Sequence, residues 1–141
     1  MNDMPVGSLT IQLLGTLHAV EDRLEAALEP LGLSLAKLGA LSHLVTAGEP
    51  LPLGTLAERC ACVRSNITQL VDRLEAEKLV MRSDDPRDRR SVRAELTEEG
   101  RSRHAAGLRA LGKAERQLLS HLQQEQRDSL LEALRSLKSG L

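Results

Sequence analysis

Between residues 64 and 73 the chain sets out Arg64, Ser65, Asn66, Thr68, Gln69, Asp72 and Arg73, interleaved with Ile67, Leu70 and Val71 and followed by Leu74. These apolar residues recur every three or four positions. That period predicts a helix from Arg64 or Ser65 to Glu77 with one buried face and one outward face. The outward side chains are short or forked donors and acceptors rather than the Glu and Lys that fill most solvated faces. Groups of this kind hydrogen-bond to base edges and phosphates when a helix lies in a major groove. Upstream, Leu53 to Cys60 reads as a short helix and Ala61-Cys62-Val63 as a tight turn. Together they make a helix-turn-helix candidate.

Other chemistries find less support. Cys60 and Cys62 stand two positions apart, where a disulfide would be strained, and buried cysteine usually packs as a small hydrophobe. His18, His43, His104 and His121 are scattered without metal-ligand spacing and read as surface or pocket-lining residues. No Ser-His-Asp, Gly-x-Ser-x-Gly or phosphate-loop pattern occurs, so no catalytic residue, metal or cofactor is predicted and an enzyme has no support. The chain has no Trp, Tyr or Phe, which removes the stacking platforms that single-strand binders use.

The elements that must position the outward face can be read on either side of it. Leu79 to Ser83 and Ser91 to Leu96 read as strands. The stretch between them, Asp84-Asp85-Pro86-Arg87-Asp88-Arg89-Arg90, is too polar and turn-rich for helix or strand. A two-stranded hairpin with arginines at its tip is a wing. Before the helix-turn-helix, Leu13, Leu17, Val20, Leu24, Leu28 and Leu31 step by four and three from a start at Ser8, and Pro30 and Gly32 close that helix. Ser34 is an N-cap candidate for a second helix carrying Leu35, Leu38, Leu41 and Leu44, which ends at Gly48-Glu49-Pro50. After the hairpin, Thr97 is an N-cap candidate with Glu98 and Glu99 in the first turn, while Gly100 leaves the capping box incomplete. Two leucine stripes follow, Leu108 to Leu122 and Leu130 to Leu141, and periodicity alone permits one long helix.

At 141 residues the chain is one domain's worth, with a core of Leu, Val, Ile, Ala and Met. A net charge of -1 gives no global argument for nucleic acid, but Arg82, Arg87, Arg89, Arg90 and Arg93 gather in the hairpin. A local basic patch on a near-neutral chain suits DNA binding through one face. No apolar run reaches membrane length and no signal peptide opens the chain, so a cytoplasmic protein is expected.

Several ordered motifs resemble the MarR family of dimeric winged-helix transcription regulators. They are Leu56-Ala57-Glu58-Arg59, Asn66 through Glu75, Leu79-Val80-Met81-Arg82, Asp85-Pro86-Arg87-Asp88-Arg89-Arg90 and Leu96-Thr97-Glu98-Glu99-Gly100. The resemblance implies a mostly α fold with a small β-hairpin wing: a winged helix-turn-helix lobe over 34–96, flanked by dimerisation helices over 8–31 and 97–141. The last segment would break into two helices near Leu122 to Glu125. It further implies a homodimeric repressor relieved by a small-molecule effector and bound to a pseudo-palindromic operator in double-stranded DNA. Ser65, Asn66, Thr68, Gln69 and Arg73 would meet bases and phosphates, with Arg64 on the backbone. Arg90 would enter the minor groove, Asp88 would hold a neighbouring arginine, and Arg87 and Arg89 would touch phosphates. An effector pocket between the dimerisation helices and the lobe would include His18, His43 and Leu44. Cys60 and Cys62 occupy core positions that usually hold Leu and Val. Ala61 and Lys78 stand where the family commonly has Gly, so each is asked for a positive φ. Two alternatives stand beside this reading: a redox-sensing regulator acting through Cys60 or Cys62, and a helical protein-interaction module without DNA binding.

Overall fold

The computed structural model describes residues 5–61 and 64–141, including all of their side chains except those of Arg64 and Ser65. Its elements in chain order are α1 (Ser8–Leu28), α2 (Leu35–Ala47), β1 (Leu51–Pro52), α3 (Leu53–Arg59), α4 (Arg64–Ala76), β2 (Val80–Asp85), β3 (Asp88–Leu96), α5 (Glu98–Leu119) and α6 (Gln124–Ser139). A 3-10 turn over Glu29–Leu31 follows α1, with Pro30 in its first positions, and Gly32 ends it at φ 68°. The architecture is mostly helical with a small antiparallel sheet, as the sequence pattern predicts.

The caps explain most of the boundaries. Ser34 Oγ accepts from the Lys37 N–H at 3.1 Å and starts α2, and Gly48 at φ 67° closes it. At the end of α4, the Leu79 N–H reaches the Leu74 carbonyl and the Lys78 N–H the Glu75 carbonyl, both at 2.9 Å, which is the paired bonding of a Schellman cap. That cap needs a left-handed residue, and Lys78 supplies it at φ 63°; Ala61 does the same after α3 at φ 52°. Thr97 Oγ accepts from the Gly100 N–H at 2.9 Å and starts α5. The break between α5 and α6 falls at residues 120–123, so the last segment is two helices. Arg127 fixes the break by donating to the carbonyls of Leu119 and Leu122.

One core serves the central lobe. Leu28, Leu41, Leu56, Ile67, Val71, Leu74 and Leu79 are fully buried there, with Val80 and Ala94 of the sheet. The sheet has three strands in the order β1-β3-β2, not the two of the hairpin alone. β1 is only Leu51 and Pro52, paired with Ala94 and Arg93, and lies at an edge where a proline costs no ladder bond. The hairpin strands also run further than their polarity suggests. Pairing continues to Asp85 and Asp88 and leaves only Pro86 and Arg87 as the turn, with an irregularity between Asp84 and Asp85. An exposed ladder rests on backbone bonds and needs no apolar residues. The prediction of a seven-residue loop from composition is therefore corrected.

The terminal helices use little of their apolar surface within the chain. Leu9, Ile11, Leu13, Leu14 and Leu17 of α1 are exposed, as are Leu130, Leu131, Leu134 and Leu137 of α6, in which no residue is buried. Among the described residues, no helix is long and apolar enough to cross a membrane.

The cap geometry yields opposite outcomes at two positions. Lys78→Gly should raise the unfolding free energy by about 0.5–1 kcal/mol, because glycine adopts the left-handed conformation without Cβ strain. Gly100→Ala should lower it by about 1–3 kcal/mol, since a Cβ there meets the Leu79 carbonyl oxygen and the Leu96 side chain. Urea denaturation of both variants beside the parent checks the pair.

Candidate nucleic-acid interface

The helix α4 turns its two faces as the sequence pattern requires. Ile67, Leu70, Val71 and Leu74 are buried, whereas Asn66, Thr68, Gln69, Asp72 and Arg73 are exposed. The side chains of Arg64 and Ser65, predicted contributors to the same face, lie outside the described residues. On the hairpin, Arg87, Asp88, Arg89 and Arg90 are all exposed. Two aspartates shape its tip: Asp85 accepts from the Arg87 N–H at 2.9 Å and Asp88 from the Arg90 N–H at 3.0 Å. Asp88 thus orders the backbone that presents Arg90.

A link between helix and hairpin goes beyond what the sequence pattern predicts. Arg82 of β2 donates through Nη1 to Glu75 at 2.9 Å and through Nη2 to Asp72 at 2.5 Å. Burial acts to lower its pKa, but the bonds to Asp72 and Glu75 and their charges outweigh that and raise it. By sequence, Asp72 belongs to the outward face of α4 and Arg82 to the basic cluster. Helical spacing does put residues 72 and 75 on one side, but nothing in the sequence says which arginine crosses to them.

The predicted effector residues are distributed differently from one another. Leu44 lines a recess of about 110 Å³ with Gly48, Glu49, Glu95, Leu96 and Arg101. A larger, open cleft of about 620 Å³ lies between α1 and α5, with Ala26, Ala27, Leu31, Ala110 and Ala114 along it and Arg23, Arg109 and Lys113 around them. His18, exposed on α1, and His43, half-buried on α2, line neither of these two. Cys60 is half-buried against the core, and Cys62 lies outside the described residues.

His104, expected at the surface or lining a pocket, is instead buried between helices and lines neither of these two recesses. It is 9% exposed, on α5, and its Nε2 is 2.9 Å from Ser42 Oγ of α2. A histidine reads as surface by composition, but here α5 crosses α2 so closely that a Cβ at Gly107 would press on Leu33 and Leu38. Burial first, and the Arg101 charge second, hold the His104 pKa below 6.5.

A model of the MarR family matches residues 31–91. The chain is 34% identical over 83 residues to the uncharacterised HTH-type transcriptional regulator YkoM of Bacillus subtilis. That stretch is 59% of this chain, and the chain spans only half of YkoM's length. Among solved structures, a probable transcriptional regulator from Pseudomonas aeruginosa is 30% identical with a TM-score of 0.75, covering 92% of this chain and 98% of that one. The transcriptional repressor CouR, solved bound to a 23-mer DNA duplex, is 25% identical with a TM-score of 0.81, covering 97% and 99%.

The buried histidine makes stability depend on pH. With a folded pKa below the unfolded 6.5, the unfolded chain binds more protons in the interval between them. The His104 contribution is therefore fully present above pH 6.5 and is lost as pH falls below it toward the folded value. Denaturation midpoints at about pH 7.5 and about pH 5.5 should fall further for the parent than for His104→Gln.

Proposed function

Because the chain belongs to the MarR family, we propose that it is a transcription regulator that reads double-stranded DNA, with α4 in a major groove and the β2–β3 wing beside it. The observation that carries this reading is the exposed polar face of α4 beside a hairpin with three exposed arginines, Arg87, Arg89 and Arg90. Asn66, Thr68 and Gln69 are the base-reading candidates, with Arg73 on bases or phosphates, and Arg64 and Ser65 at the helix start. Arg90, on a backbone held by Asp88, is the candidate for the minor groove, whose negative potential draws a guanidinium. The DNA-bound form of the similar CouR supports this arrangement.

The protein acts as a homodimer in this reading, pairing through α1, α5 and α6. The exposed leucines of α1 and α6 support that assignment, because contiguous apolar surface of this kind marks an interface. It acts as a repressor, and a small molecule releases it. The effector sits where the terminal helices meet the lobe. Leu44, which lines a recess with Arg101 of α5, is one candidate contact, with His18 and His43 as the others.

Base reading and phosphate holding have different signatures in titrations. Arg90→Ala should weaken binding to the preferred duplex by about 1–3 kcal/mol, with the larger loss on A·T-rich flanks. Asn66→Ala and Gln69→Ala should instead relax preference at particular base pairs and leave non-specific affinity nearly intact. Each variant is titrated against a preferred and a scrambled duplex at two salt concentrations. An Arg90→Ala variant that binds as tightly as the parent at both salts rules out the wing assignment.

A further inference from the structure

We propose that Arg82 is a positioning residue that locks the wing to α4 as one reading head, and that discrimination between DNA sequences depends on this lock. The inference rests on the DNA-reading function above. Arg82 does not join the arginines at the hairpin tip but turns back onto the helix. Its backbone N–H donates to Glu75 Oε2 at 2.9 Å, Nη1 to Glu75 Oε1 at 2.9 Å, and Nη2 to Asp72 Oδ1 at 2.5 Å and to the Thr68 carbonyl at 3.4 Å. One residue therefore spans α4 from position 68 to position 75, about two helical turns. A planar guanidinium, with its donors in a rigid fork, holds two carboxylates and a carbonyl in one fixed orientation, which the single rotatable ammonium of a lysine does not.

The location of the lock matters more than its strength. The Arg82 side chain is 25% exposed and Asp72 60%, so these ion pairs add little to folding stability. Yet they lie between the two elements proposed to enter adjacent grooves. Thr68, whose carbonyl Arg82 touches, is itself on the proposed reading face, one residue from Gln69. A hairpin free to swing would let Arg90 find phosphate on any duplex, whether or not α4 had found its bases. Holding the two together makes each contact conditional on the other. Asp72 and Glu75 would also repel phosphates if left alone, and Arg82 covers both.

Orientation and charge make opposite predictions. The Asp72→Ala, Glu75→Ala double variant makes α4 less negative and removes both acceptors, so non-specific affinity should rise, while the ratio of preferred to scrambled binding should fall about tenfold because the lock is gone. Arg82→Met should lose the same ratio with a nearly unchanged melting temperature, and Arg82→Lys, which keeps the charge without the fork, should not restore it. Restoration by Lys, or a double variant whose discrimination survives, overturns the lock in favour of charge cover alone. Amide exchange without DNA tests the lock independently. Arg82→Met should speed exchange in β2–β3 about tenfold, and unchanged rates overturn the lock. A parent protein that prefers no duplex overturns the DNA-reading function instead, and exchange still decides whether Arg82 clamps the wing.

Discussion

The carbonyl of Leu79 is where three elements meet. It accepts the Thr97 N–H at 3.1 Å and lies 3.0 Å from Thr97 Oγ, so the end of β3 and the start of α5 are fastened to the residue that closes α4 and opens β2. The same Leu79 donates its own N–H back to Leu74, and its side chain is fully buried. Thr97 Oγ also accepts from Gly100, whose missing Cβ is what lets α5 approach the Leu79 carbonyl. The direction of α5 is thereby set relative to α4. If two copies pair through their terminal helices, the separation of the two α4 helices is set through this joint.

The lobe and the terminal helices differ in how far they satisfy themselves. Around α4 the leucine-rich core is closed, with Leu56, Ile67, Val71, Leu74 and Leu79 fully buried in it. Toward the chain ends the balance reverses. The leucines of α6 face outward, and its fixed points are Arg127 on the preceding turn and the Gln123–Gln126 bond that starts the helix. A helix held only at its root, with a leucine stripe in water, is better suited to a partner surface than to solvent. The polar face of α4 thus stands on a closed core, whereas the apolar stripe of α6 is left uncovered by the chain itself.

Local chemistry is legible in the sequence. The faces of α4 follow from the spacing of Ile67, Leu70, Val71 and Leu74, and Ser34 and Thr97 announce their caps because a hydroxyl before a periodic run has few other uses. The left-handed turns at Ala61 and Lys78 come from comparison with the family pattern, not from propensity, which disfavours both. What stays hidden depends on contacts between distant residues. β1 is two residues long and exists only because β3 lies beside it. The polar ends of β2 and β3 pair although no apolar alternation marks them. Burial of His104 depends on the close crossing of α2 and α5, and the choice of Arg82 over four neighbouring arginines depends on which strand face meets α4. Periodicity leaves the break between α5 and α6 open, and only the family resemblance resolves it.

In the proposed mode of action, two copies of this chain present two α4 helices to one duplex. Selection from a library of random double-stranded DNA with the full-length protein tests that pairing most directly. The predicted result is an enriched imperfect palindrome with half-site centres about 10 bp apart, one turn of the double helix. Enrichment of a lone half-site, or none above the starting library, would contradict it.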